Sequence, residues 1–157
     1  MNAKQNKTLI VVHSYHHHNT RGVADAMASV LDASVQTTGD FDVSVLQGYN
    51  LIGFGAGIDS GKHYPPLIKL AEQLPHVDNR PCFIFSTSAV QGEGKVKKDH
   101  SCLRKILEEK GYNVLGEFSC KGFNTNSFLK FFGGMNKGRP NSTDIENAKE
   151  FARKLLQ

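Results

Sequence analysis

KTLIVVHSYHHHNTRGVADAMASVLD, residues 7–32, holds the pattern from which the fold is read. Lys7 to His13 is a short continuous apolar run rich in β-branched residues, which suits a strand buried on both faces. Thr20 to Asp32 changes period: Val23, Met27, Val30 and Leu31 recur at helical spacing. Between them lies a polar loop, HSYHHHNT. A buried strand running through a polar loop into a helix is the first half of a parallel βαβ unit.

The rest of the chain repeats the alternation. A weak strand is expected over Ser34 to Thr37. Asn50 to Gly55 (NLIGFG) reads as a buried strand, Pro81 to Thr87 (PCFIFST) as an apolar strand and Val114 to Cys120 (VLGEFSC) as a fourth strand. Pro65 to Leu74 is predicted to be a short helix, with Pro65 and Pro66 in its first turn, where proline is tolerated. Asp99 to Lys110 is a second, capped by Asp99 and ended by Gly111. In the last helix Thr143 and Glu146 match a capping-box pattern. Ile145, Ala148, Phe151, Ala152 and Leu155 give that helix one apolar face. Continuous apolar strands alternating with helices mean an α/β fold, a parallel sheet covered on both faces. The whole chain, 1–157, reads as one domain.

Composition narrows the function classes. Of the 157 residues, 39% are hydrophobic and 22% charged, a globular composition rather than a disordered one. No apolar run approaches the ~20 residues of a membrane helix, and the N-terminus lacks a cleavage site, so a cytoplasmic protein is expected. The net charge of +4 suits an anionic ligand or an acidic partner. With no basic helix or stacking-aromatic motif, nucleic acid is not an expected partner. Cys82, Cys102 and Cys120 lack C-x-x-C spacing and read as reduced thiols.

In open parallel sheets, ligands sit beyond the carboxyl ends of the strands. The segments after the four strong strands are HSYHHHNT, GAGIDSGKH, STSAVQGEG and KGFNT, all rich in Gly, Ser, Thr or Asn. Capping alone would account for Ser14, Asn19 and Thr20. Four such loops on one edge favour a ligand. The first leads into a helix N-terminus, whose unpaired N–H groups and partial positive charge attract phosphate. It is neither a P-loop nor a G-x-G-x-x-G fingerprint, which disfavours a nucleoside triphosphate with magnesium and favours a single terminal phosphate. His16, His17 and His18 lack the partners of a tetrahedral metal site, so no metal is expected. Phe128, Leu129, Phe131 and Phe132 are expected to fold back as a local core. No Ser-His-Asp or paired-carboxylate constellation stands out at the loops.

A first strand ending in S-x-H-H-H-N-T, a strand running into GFGAGIDSGKH, and FIFSTSA together resemble the flavodoxin family, in its short single-domain form. The likeness runs to FGGMNKGRPNSTDIENAKEFA. It implies a three-layer α/β/α sandwich with a five-stranded parallel sheet, order 2-1-3-4-5. Flavodoxin is a standing example of that order, with FMN at the switch point. It implies FMN as cofactor, with Ser14, His16, His18, Asn19 and Thr20 around its phosphate. Gly55, Ala56, Gly57 and Ile58 would pass one side of the isoalloxazine. Thr87, Ser88, Ala89, Gly92 and Gly94 would pass the other. Gly55, Gly57 and Gly61 would let the backbone approach the ring.

Two features depart from the family. Flavodoxins often sandwich the ring between aromatics; here the second loop offers Ile58, His63 and Tyr64, and the third none. Flavodoxins are often acidic, whereas Lys95, Lys97 and Lys98 follow this third loop. Positive charge there would favour an anionic reduced flavin. The resemblance implies an electron carrier with a redox partner protein, for which an acidic partner suits the charge, acting as a monomer or weak homodimer. Two alternatives stay open: an NAD(P)H-dependent FMN reductase of quinone type, and a flavin-free interaction scaffold.

Overall fold

The computed structural model describes residues 6–14, 18–122 and 136–157. Five parallel strands form the sheet: β1 (Thr8–His13), β2 (Ser34–Thr37), β3 (Leu51–Asp59), β5 (Arg80–Ser88) and β6 (Tyr112–Lys121). Their order is β2-β1-β3-β5-β6, and a two-residue strand β4 (Lys62–His63) pairs antiparallel with β3. Without β4, this is the expected five-strand order. The helices are α1 (Asn19–Leu31), α2 (Pro65–Glu72), α3 (Glu93–Asp99), α4 (Ser101–Glu109) and α5 (Ser142–Leu155).

Strand pleating divides the core into two layers. Leu9, Val11, Ile52, Phe54 and Ile84 pack with Leu67, Leu70, Leu103 and Leu107 of α2 and α4. Ile10, Val12, Phe83 and Phe85 pack with Val23, Met27, Ala148 and Ala152 of α1 and α5. Gly53 and Gly55 fall on this second face. Their register partners are Phe83 and Phe85. Added Cβ atoms would come within 2.3 Å and 2.2 Å of those rings. Two phenylalanines thus fill the space that two missing side chains leave.

Several boundaries differ from expectation. Asp99 does not cap a helix over 99–110. It ends α3, is 3% exposed, and pairs with Lys95 one turn back. That pair supports a separate first turn, so the segment splits at His100 into α3 and α4. The capping box of α5 is formed by Asn141 and Asp144 rather than Thr143 and Glu146. Asn141 leads because it sits in extended backbone just before the helix, as an N-cap must. The second loop is mostly strand. β3 runs on to Asp59 and turns back through Ser60 (φ 54) and Gly61 (φ 80), both left-handed as a tight hairpin requires. Phe128, Leu129, Phe131 and Phe132, expected as a local core, lie outside the described residues.

Candidate functional site

The carboxyl ends of the strands meet along one edge: His13 is level with Ala56, Gly57 with Thr87, and Ser88 with Lys121. Here the first and third loops join directly. Thr20 Oγ1 and Thr87 Oγ1 lie 2.8 Å apart, both buried. Ser14 Oγ accepts the Arg21 backbone N–H at 3.2 Å, so Ser14 caps a first-turn donor of α1 from across the loop. Asn19 reaches over the end of β6, where a Cβ on Gly122 would meet Asn19 Nδ2 at 2.7 Å. His18 is the exposed N-cap of α1, left-handed at φ 53. His16 lies outside the described residues. No acidic residue occupies the first turn of α1, so its N-terminal field favours an anion. A cleft of about 350 Å³ opens beside this point, between His18 and Asn19 of α1 and Arg139 and Ile145 before and within α5. Arg139 is spoken for there by a bidentate pair with Asp144.

The expected second-loop residues Gly55, Ala56, Gly57 and Ile58 all belong to β3. Gly55 and Ala56 are buried strand interior, and the lost side chain of Gly55 serves packing. Gly57 carries the Tyr64 ring, which a Cβ would approach to 2.5 Å. Tyr64 also meets His13 edge-on, with ring centroids 5.9 Å apart. His63, considered beside the ring, is fully buried instead. In the third loop Thr87 and Ser88 end β5, and Gly92 caps α3 at φ 152. Gly94 lies within α3. The tip is held from two sides. Asn136 donates to the Ala89 carbonyl at 2.7 Å, and the Gly122 N–H donates to Ser88 O at 3.0 Å. Val90 stands 49% exposed between them, an aliphatic surface where no aromatic exists.

Behind the third loop lies a buried polar array that sequence reasoning missed. Glu117 accepts two hydrogen bonds from Arg104, at 2.7 and 3.0 Å, and faces His100 Nδ1 at 3.0 Å. His100 Nε2 is 2.7 Å from Ser86 Oγ, which donates to Ser119 Oγ at 2.9 Å. Gln91 Nε2 reaches both Ser119 (3.1 Å) and Ser88 (2.6 Å). Serine, histidine and carboxylate do line up, inside the body rather than at the loops. One signal was legible: Glu117 interrupts an apolar strand, and a charge in such a strand demands partners.

Electrostatics follow from this packing. Burial alone would raise the Glu117 carboxyl, but His100 and Arg104 outweigh it and bring it down to about 2. His63 lies against His100, ring centroids 4.8 Å apart and tilted by 42°, and donates from Nε2 to the Phe85 carbonyl. Burial, then the positive charge of His100, lowers His63 to about 3. Its Nδ1 has no hydrogen-bond partner among the described residues. Burial pushes the Cys82 and Cys120 thiols up to about 12, which leaves both unreactive. Lys95 is committed to Asp99, while Lys62, Lys97 and Lys98 are exposed. Among the described residues no helix is long and apolar enough to cross a membrane.

No protein-family model matches the chain. An uncharacterized protein of Methanocaldococcus jannaschii is 40% identical over 151 residues, covering 96% of this chain and 99% of the other. Among solved structures, oxidised flavodoxin 2 of Bacillus cereus superposes with a TM-score of 0.71 at 17% identity. That match covers 96% of this chain and 97% of the other. The flavodoxin of Streptococcus pneumoniae TIGR4 gives 0.70 at 14% identity, with the same coverage. Identities this low speak to fold alone.

Proposed function

Because the chain belongs to one family of flavodoxin-like proteins with the M. jannaschii protein, we propose that it binds FMN at the carboxyl edge of its sheet and carries electrons. The observation that carries this reading is the junction of first and third loops. Asn19, Thr20, Thr87 and Gly122 come from α1, β5 and the end of β6 and close over the same point. That point is the N-terminus of a thirteen-residue helix with no acid in its first turn.

The residues present fit the cofactor's phosphate. The N-terminal donors of α1, with Ser14, His18 and Asn19, would hold a dianion. Thr20 and Thr87 would brace the loop through each other, and whichever hydroxyl accepts keeps its own proton for the ligand. Gly57, Ile58 and Tyr64 on one side, and Ser88 to Gly92 on the other, would flank the ring. Gly94 lies one residue into α3 and would support the loop from there. Bound FMN supplies one- and two-electron chemistry, so the protein needs a ring held at an exposed edge rather than a substrate pocket.

Titrating purified apoprotein into FMN and following flavin fluorescence tests this. Saturable quenching is expected, and a colourless protein that leaves FMN fluorescent would sink the proposal. Asn19→Ala is expected to weaken FMN about tenfold more than riboflavin, because a lost charge-assisted hydrogen bond is worth ~1.5–3 kcal/mol. Equal losses would refute the phosphate role.

A further inference from the structure

Gly22 is a glycine that packing does not explain. It is an early residue of α1, where glycine is the poorest helix former after proline, and its φ is not left-handed. Gly53, Gly55 and Gly57 each make room for a ring, whereas a Cβ on Gly22 would meet nothing within 4 Å. What Gly22 borders is the cleft between α1 and the start of α5. At about 350 Å³ that cleft lies at the low end of the ~300–1,000 Å³ of small-ligand sites, far more than one phosphate fills.

Arg139 lines the same cleft. Its pair with Asp144 uses Nε and Nη2, and so only two of the five N–H donors of a guanidinium. The other three have no partner among the described residues, and they include the second fork of the planar group. Asp144 is 5% exposed and belongs to the capping box of α5, so the carboxylate that aims Arg139 is itself fixed. Lys121, at the end of β6, acts on that carboxylate too, which leaves the group one positive charge in excess. Pro140 and Ile145 add apolar surface. His18 and Asn19 line the cleft and also form the start of α1, where the FMN phosphate is proposed to sit.

We infer that this cleft is a nucleotide subsite: Arg139 holds a second phosphate, Gly22 leaves room for the nucleoside attached to it, and the ligand is the outer half of a flavin dinucleotide. The inference rests on the reading that a flavin binds at this edge. It extends that reading, because a phosphate at the start of α1 opens straight into the cleft and need not be terminal, as the first loop alone suggests. The same chemistry would serve a free nucleoside monophosphate seated beside FMN.

Isothermal titration calorimetry separates these cases, with FAD and FMN added to the flavin-free protein and AMP added to the FMN-loaded protein. Wild type is expected to bind FAD about tenfold more tightly than FMN, the scale of one charge-assisted hydrogen bond. Gly22→Leu fills the cleft from a position where the fold has space. It is expected to raise Tm, to abolish the FAD advantage and to leave FMN affinity within about twofold. Arg139→Gln should lose about tenfold for FAD and little for FMN. Removing Arg139 also strips the buried Asp144 of a partner, so Gly22→Leu is the deciding variant. If FAD gains nothing but AMP binds the FMN-loaded protein, and both variants lose it, the subsite stands with a free nucleotide as its ligand. No FAD advantage together with no AMP binding overturns the inference while FMN binding stands. So do equal losses of FAD and FMN in Gly22→Leu. If wild type binds neither flavin, the functional reading falls, and this inference with it.

Discussion

Gly55 shows how one residue can be read for function yet serve packing. Its position in a Gly-rich segment after a strand suggests close approach to a ring, and a ring does approach it: Phe85, from the neighbouring strand. Phe85 is fully buried among Ile10, Val12, Phe83 and Cys120 and has nowhere to swing. Gly55→Ala should therefore destabilise the ligand-free protein by about 2–3 kcal/mol, the usual cost of overpacking a filled core. Gly57→Ala meets Tyr64, which is only half buried and can yield. It should cost about 1 kcal/mol or less in the same assay. Urea denaturation of the two apoproteins decides this. Equal midpoints would show that Phe85 moves aside, and that the packing role assigned to Gly55 is wrong.

At the scale of elements, legibility tracked how local the cause was. β1, β3 and β5 announce themselves as continuous apolar runs, because a strand covered on both faces has no polar side, whereas β6 carries Glu117 in its middle. The β3–β4 hairpin did not, since DSGKH, residues 59–63, has no apolar side chain to mark a strand. Its only signal is Ser-Gly at the turn, the pair that takes the two left-handed conformations. The split between α3 and α4 was hidden because Asp99 suits an N-cap as well as an ion pair. Of the site, the polar loops were legible and their cross-links were not. Thr20 and Thr87 are 67 positions apart, and only the strand order joins them. The buried His63 was missed for the same reason, and it shapes the response to acid. The folded His63 is held at about 3 against an ordinary 6.5. Below 6.5 the unfolded chain therefore binds a proton that the folded one refuses, and stability falls with pH toward 3. Glu117, held at about 2 against 4.5, adds stability above 4.5 that is lost as pH falls through that range. Between pH 6.5 and 4.5, His63 should make stability depend on pH. His63→Gln keeps a donor for the Phe85 carbonyl without the titration. It should flatten the stability profile there by up to ~1.4 kcal/mol per pH unit, with the Glu117 limb below 4.5 intact. Chemical denaturation at half-unit steps would show it, and parallel profiles for variant and wild type would contradict the assigned cause.

Across the whole molecule, the positive balance has a consequence for the proposed electron transfer. The net charge is +4, and Lys62, Lys97 and Lys98 are exposed on the β3–β4 hairpin and α3, the elements adjoining the second and third loops. Lys95 adds little, because Asp99 neutralises it. One exposed charge acting over ~10 Å through water contributes only about 0.4 kcal/mol. The field therefore reaches a useful size only as a sum. Reversing Lys97 and Lys98 to glutamate changes it by four charges, about 1.6 kcal/mol before screening. For a one-electron couple, where 59 mV is a factor of ten, that is roughly 70 mV. A reduced, anionic flavin bound as proposed would lose that support, so Lys97→Glu with Lys98→Glu should lower its midpoint potential, by roughly 50 mV in 10 mM salt. Exposed charges are screened beyond about 3 Å at 1 M ionic strength, so the shift should all but vanish there. The same variant should associate more slowly with an acidic electron donor at low salt and like wild type at high salt, because steering uses the same field. Spectroelectrochemical titrations at the two ionic strengths separate this from local damage. A potential shift that survives 1 M salt would mean that α3 itself has moved. An absent shift would mean that the lysine face plays no part in setting the potential.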